Sequence, residues 1–332
     1  MRWPAALALA TLLATQGARA EGLRDPQLQA LADAHKLVEL EQAATARLAA
    51  HPDDGPAWLA YLESVVGRNV PDAAARRDAA LAKFEACVQK TPQVAACHYG
   101  VGAVTAINIL AQGIMKAAFG VGKVRDEFAK ALELDPAFAP ARAGLVQYYL
   151  MVPGIVGGSV AKASEIAQAE SARAAEYGKL LTAMVQLYRA KLADAERLLA
   201  SVQPGGDLEL AVELRGQWNA LGLALLQDRQ AAKARELFER MVHERPEQPG
   251  PHYSLARALS ELQQWDAALA ELKLAESLPG HENFPIDYRV GVALQGKGDT
   301  MQAKAAYKRY LGSVNPNPQN VEDIKKRLAE LG

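Results

Sequence analysis

Residues 218–246 read "WNALGLALLQDRQAAKARELFERMVHERP". Within this stretch Trp218, Leu221, Gly222 and Leu225 recur at helical spacing, and Ala234 and Phe238 do so after a polar break, before Pro246 closes the unit. The chain then repeats itself. His252, Leu255, Ala256, Leu259, Ala268 and Leu272 follow at a shift of 34 residues, with Pro279 at 33. A third copy, Asp287, Val290, Gly291, Leu294, Ala303 and Tyr307, follows at a shift of 35. A fixed period of this length marks a stack of two-helix units rather than one central core.

The pattern resembles the tetratricopeptide repeat, a helix-turn-helix unit of about 34 residues. The large first-helix residue, the Leu-Gly pair, the second-helix alanine, the later aromatic and the closing proline correspond to the positions quoted. The small residues have a packing reason: Gly222, Ala256 and Gly291 let one helix approach another, where Ala234, Ala268 and Ala303 present only a methyl group. Leu221, Leu225 and Phe238 with their counterparts then fill the space between neighbouring units, so no unit buries its apolar face alone.

Weaker copies extend toward the N-terminus. Trp58 stands six residues after Pro52, His98 after Pro92 and Arg142 after Pro136, the offset that also links Pro246 to His252. Ala80 and Phe84 precede Pro92, and Val124, Phe128 and Ala131 precede Pro136. Between Lys162 and Pro204 the copies are degenerate, with Tyr188, Ala195 and Leu199 fitting one. These readings divide the chain into a leader (1–20), a degenerate helical region (21–54), units with inserts (55–206), regular units (207–316) and a polar capping helix (317–332). The expected fold is an all-α, right-handed superhelix of about eight helix pairs.

Composition agrees with helices. Half of the 332 residues are hydrophobic but only 6% aromatic, and alanine supplies much of the apolar share. The basic start, the short apolar run "ALALATLL" and the small residues of "ARA" (18–20) read as a signal peptide cleaved after Ala20, placing the chain in the periplasm or outside the cell. No later segment is apolar for long enough to span a bilayer. Without Arg2 and Arg19 the 37 basic residues become 35 against 38 acidic ones, a formal charge of −3 that argues against nucleic-acid binding.

Two departures from the period stand out. The small first-helix residue and the second-helix residue lie 12 apart in Gly222 and Ala234, but 22 apart in Gly102 and Val124 and 17 apart in Val146 and Ala163. The inserts fall between the helices of consecutive units and are expected side by side. The second, "VPGIVGGS" (152–159), invites a phosphate-loop reading. That reading fails on context, since Ser159 follows Gly158 instead of a lysine and no strand precedes it. In the structural alternative Pro153 and Gly154 end the first helix, Gly157 and Gly158 make a turn and Ser159 caps the second helix. The stretch also resembles a Pro-Gly-x-x-Gly-Gly-Ser element of some exported bacterial tetratricopeptide proteins, which brings no chemistry with it. A ligand- or anion-binding protein, or an enzyme, that uses the inserts at 111–123 and 152–159 is the competing reading.

Chemistry is not evident elsewhere. The six histidines lack metal-ligand spacing, and no nucleophile elbow, Cys-x-x-Cys or kinase signature occurs. The expected protein is therefore a scaffold or adaptor, not an enzyme, with no cofactor and no metal. The resemblance implies a concave groove lined by the first helices, with Tyr99, Asn219, Tyr253 and Tyr288 pointing into it and Gln147, Arg257 and Gln295 further along the same faces. Tyrosines and amides suit an extended peptide, so the implied partner is a protein or peptide. The alternative for each tyrosine is packing between helices. Finally, Cys87 and Cys97 flank Pro92 at equal distances and are the only cysteines, so an exported chain is expected to join them. The alternative is two buried thiols acting as small apolar side chains.

Overall fold

The computed structural model describes residues 23–112 and 118–332; the leader (1–20) and residues 113–117 of the first insert lie outside them. Among the described residues there are 17 α-helices and no strand. They run as hairpins: α1 (Pro26–Asp33) with α2 (Leu37–Ala50), α3 (Gly55–Val66) with α4 (Ala73–Lys90), and α5 (Ala95–Gln112) with α6 (Ala118–Leu134). Next come α7 (Ala139–Met151) with α8 (Val160–Arg173), α9 (Ala175–Tyr188) with α10 (Leu192–Ala200), and α11 (Leu208–Gln227) with α12 (Ala231–Glu244). The regular units are α13 (Pro249–Glu261) with α14 (Trp265–Ser277) and α15 (Ile286–Lys297) with α16 (Thr300–Leu311), and α17 (Pro318–Glu330) caps the stack.

A shared turn defines the hairpins. His35, Ala190, Arg229, Gln263 and Gly298 all adopt positive φ between paired helices. In each case the next amide bonds a carbonyl five residues back, as Gln230 N does to Leu225 O at 2.8 Å and Lys36 N to Leu31 O at 2.9 Å. This is the left-handed helix stop that ties off the last carbonyls. Its presence at His35 identifies α1 and α2 as one more unit, where the sequence pattern gave only a degenerate region. It also corrects the register of the fifth pair. Counting from Ala190, the small first-helix residue is Ala183, which is fully buried 12 residues before Ala195, whereas Tyr188 is 54% exposed.

The six-residue proline offset proves to be a hydrogen bond. Trp58 Nε1 donates to the Pro52 carbonyl at 2.9 Å, and Arg142 donates to that of Pro136. His98 Nε2 and His252 Nε2 stand 3.3 and 3.0 Å from the Pro92 and Pro246 carbonyls, with their Nδ1 atoms 2.7 and 2.6 Å from Glu127 and Glu271. Each bond closes the turn between units, which fixes how one hairpin follows the next.

The role of the small first-helix residues needs correction in detail. A Cβ on Gly222 would lie 2.3 Å from the Phe238 ring, and one on Gly291 would lie 2.4 Å from Tyr307. The glycine therefore makes room for the aromatic ring sixteen positions later, more than for the alanine opposite. Where that later residue is Leu272, the first helix carries Ala256 instead. Cys87 and Cys97 are joined by a disulfide with Cα atoms 5.9 Å apart, tying α4 to α5. At the C-terminus Ile324 is fully buried, and Leu328 and Leu331 complete the apolar contact of α17 with the last unit.

Candidate functional site

The odd-numbered helices from α3 to α15 touch one another in succession, and the N-terminal segment reaches both α3 and α11. Arg24 donates to Glu63 of α3 at 2.7 Å and to Glu209 of α11 at 2.5 Å. Asp33 pairs with Arg245 at 3.2 Å, and His35 stands 3.3 Å from Glu282. Near the same edge Asn283 donates to the Gly67 carbonyl and Asn315 to that of Val70, both at 2.8 Å. The two ends of the solenoid thus meet, and two cavities lie along the odd-numbered helices.

The first cavity, about 280 Å³, lies between α5, α6, α7, α9 and α11. Its walls are mostly apolar: Ala103, Ile107, Ile109, Val121, Val124, Phe128, Met151, Val152 and Met184, with Tyr99, Gln147, Tyr148, Glu213 and Gln217 as the polar groups. The second, about 450 Å³, lies between α11, α12 and α13. It is lined by Trp218, Asn219, Tyr253, Ser254, Arg257 and Phe284, with Arg215, Arg240 and Arg245 around it and Glu244 as its one carboxylate.

The seven groove residues expected from the sequence therefore separate. Asn219, Tyr253 and Arg257 converge in the second cavity, where Asn219 Oδ1 accepts from Ser254 Oγ at 3.0 Å and Arg289 donates weakly to the Tyr253 hydroxyl at 3.4 Å. Among the described residues no acceptor reaches the Arg257 guanidinium; burial, reinforced by the nearby Arg289, lowers its pKa. Tyr99 and Gln147 line the first cavity, but Tyr99 packs between Phe128 and Phe138, with ring centroids 5.4 and 5.5 Å away. Tyr288 and Gln295 do not join either cavity. The Tyr288 hydroxyl donates to Asp323 at 2.8 Å, and Gln295 accepts from Tyr307 at 2.7 Å and Arg327 at 3.3 Å. The capping helix occupies both, because a terminal unit has no following repeat to leave that face open.

The second insert folds on itself. Gly157 adopts φ 108°, and a Cβ on Gly158 would lie 1.6 Å from the Val152 carbonyl oxygen. Gly157, Gly158 and Ser159 amides donate to the carbonyls of Gly154, Pro153 and Tyr149, and Ser159 Oγ caps α8 by accepting from Lys162 N at 3.3 Å. These amides are already bonded, so the insert offers no ready anion cradle. Gly154 begins a single 3₁₀ turn after α7, and the turn lies against α6. Ile155 in it is 91% exposed, with Met151 and Leu110 about half exposed nearby.

Sequence reading missed the charged interior. Burial opposes the charge on Arg24, but Glu209 and Glu63 outweigh it and raise its pKa. Burial raises that of Glu209 against the pull of Arg24. Burial and the Glu209 carboxylate together push Glu213 up to about 7. The available signal was the four-residue spacing of Glu209, Glu213 and Gln217 on a helix that extends ten residues before Trp218. Nothing local pairs that spacing with Arg24, 185 residues away.

Residues 225–284 match the family model described as tetratricopeptide repeat. No curated protein sequence matches the chain. A chain of the APC/C hetero-tetramer Cut9–Hcn1 is similar in structure at 17% identity and a TM-score of 0.52, over 91% of this chain. The alignment covers 54% of that chain, so the protein spans about half its length. A tetratricopeptide repeat protein from Parabacteroides merdae aligns at 12% identity and TM-score 0.47, over 81% of this chain and 96% of its own. Pseudomonas aeruginosa pilF aligns at 18% identity and TM-score 0.43, over 76% and 99%.

Proposed function

We propose that this tetratricopeptide-repeat solenoid is an exported, non-catalytic scaffold that holds a protein or peptide segment in the cavity between α11 and α13. The observation that carries the reading is the convergence of Asn219, Tyr253 and an unpaired Arg257 on one cleft whose rim is basic. The phenol and Phe284 offer apolar area at small entropic cost, with ring centroids 5.2 Å apart. The amide of Asn219 suits a peptide backbone, and the guanidinium suits a carboxylate. The favoured segment is thus extended and acidic, or ends in a free carboxylate. A leader cleaved after Ala20 would place the encounter in the periplasm or outside the cell.

The test is retention of partner from an envelope extract on immobilised protein. Wild type and Gly157→Pro should retain the same partner, while Tyr253→Ala/Arg257→Ala should lose it. Loss in the insert variant alone would move the site to the inserts.

A further inference from the structure

The first cavity is separate from the peptide cleft and has a different chemistry. Its walls come from α5, α6, α7, α9 and α11, and the half-exposed apolar residues Leu110 and Met151 stand at its edge. Into this apolar space α11 presents one carboxylate, Glu213, followed one turn later by Gln217. Among the described residues no hydrogen-bond donor or cation is in contact with Glu213. The Arg24 guanidinium is already shared between Glu63 at 2.7 Å and Glu209 at 2.5 Å. Among the described residues Glu213 is thus the carboxylate of this group without a cation in contact, and it lines the cavity. A carboxylate set among mostly apolar walls is poorly solvated, so a cation or donor that meets it there is favoured.

We propose that this cavity binds a small apolar ammonium, a short aliphatic or aromatic group carrying one amine, with the ammonium on Glu213 and the apolar part among Val121, Val124, Phe128 and Met184. The volume of about 280 Å³ lies at the low end for small-ligand sites, enough for one chain or ring. The amine supplies the missing charge and up to three donors, of which Glu213 takes one, and the amide oxygens of Gln147 and Gln217 are further acceptors in the lining.

A pH dependence follows. The groups that face or act on Glu213 are Glu209 and Gln217 on its own helix, Arg24, Tyr99 from α5 and Tyr177 from α9. Burial and Glu209 hold the Glu213 carboxyl near 7, whereas an alkylamine keeps its proton to about 10. Binding therefore displaces a proton from Glu213, and affinity should rise roughly tenfold from pH 6 to pH 8.

Titration calorimetry of the full chain with n-octylammonium, octan-1-ol and octanoate tests the proposal. At pH 8 the ammonium should bind at least about tenfold more tightly than the alcohol, and octanoate least. Glu213→Gln should reduce the ammonium to the level of the alcohol and abolish the pH dependence, while Tyr253→Ala changes neither. Ala106→Phe, which fills the cavity, should abolish binding of all three. Competition by a lysine-containing apolar peptide distinguishes a partner's side chain from a free amine as the source of the ammonium. Equal affinity for ammonium and alcohol, preference for octanoate, or an unchanged Glu213→Gln variant with native helicity would overturn the proposal.

Discussion

At the level of single residues, the packing between helices and the charge inside the solenoid make separate predictions. Gly222 lies under the Phe238 ring, so Gly222→Ala inserts a methyl group 2.3 Å from a fully buried aromatic. The ring must shift against packed neighbours, and the expected destabilisation is about 1–3 kcal/mol, measured by thermal or urea unfolding. Gly222 was legible in the sequence because its partner recurs sixteen residues later in every regular unit. Glu213 was not, because its environment is assembled from helices far apart in the chain. Its carboxyl rises from the ordinary 4.5 to about 7 through burial and then Glu209. Between those values the folded chain holds a proton that the unfolded chain has released, so this group makes the fold less stable as pH rises through the window. Glu213→Gln should therefore be more stable than wild type above pH 7, by about 3 kcal/mol, with the difference vanishing toward pH 4.5. Unfolding midpoints of both chains at several pH values check the sign.

Among the elements, the recurring left-handed turn and the disulfide set how the hairpins hold together. Gln263 pays for φ 59° with a side chain, a conformation that glycine adopts without the clash. Gln263→Gly should raise the stability of the C-terminal units by about 0.5–1 kcal/mol, seen as slower amide exchange in α13 and α14. Reduction of the Cys87–Cys97 bridge releases a short loop at the junction of α4 and α5. A loss of about 3 kcal/mol is expected, confined to the N-terminal units, because a stack of nearest-neighbour units does not unfold as one. Exchange protection in α3 to α6 with and without reductant measures it. Helix pairing and the proline offset were readable from sequence, since both are short-range. The register of α9 and α10 was not, because Ala183 carries no signature until the turn at Ala190 is seen. Nor was the loss of Tyr288 and Gln295 to the capping helix, since α17 reads only as a polar amphipathic helix whose docking position no local pattern records.

Across the whole molecule, the N-terminal segment reaches both α3 and α11, and the two ends of the stack come into contact. Arg24, Asp33 and His35 reach residues roughly two hundred positions away, so no periodicity in the chain could announce the closure. Two cavities of opposite character lie along the stack, one apolar around a carboxylate and one rimmed by arginines. The central claim is that a protein or peptide segment enters the second of these. Site-specific photo-crosslinking tests it most directly, with the reactive side chain placed at Asn219 in the cleft and, as a comparison, at the exposed Lys273 on α14. The account predicts a discrete adduct from position 219, lost when Arg257→Ala is combined with it, and none from position 273. Equal adducts from both positions, or an adduct from 219 that survives Arg257→Ala, would contradict it.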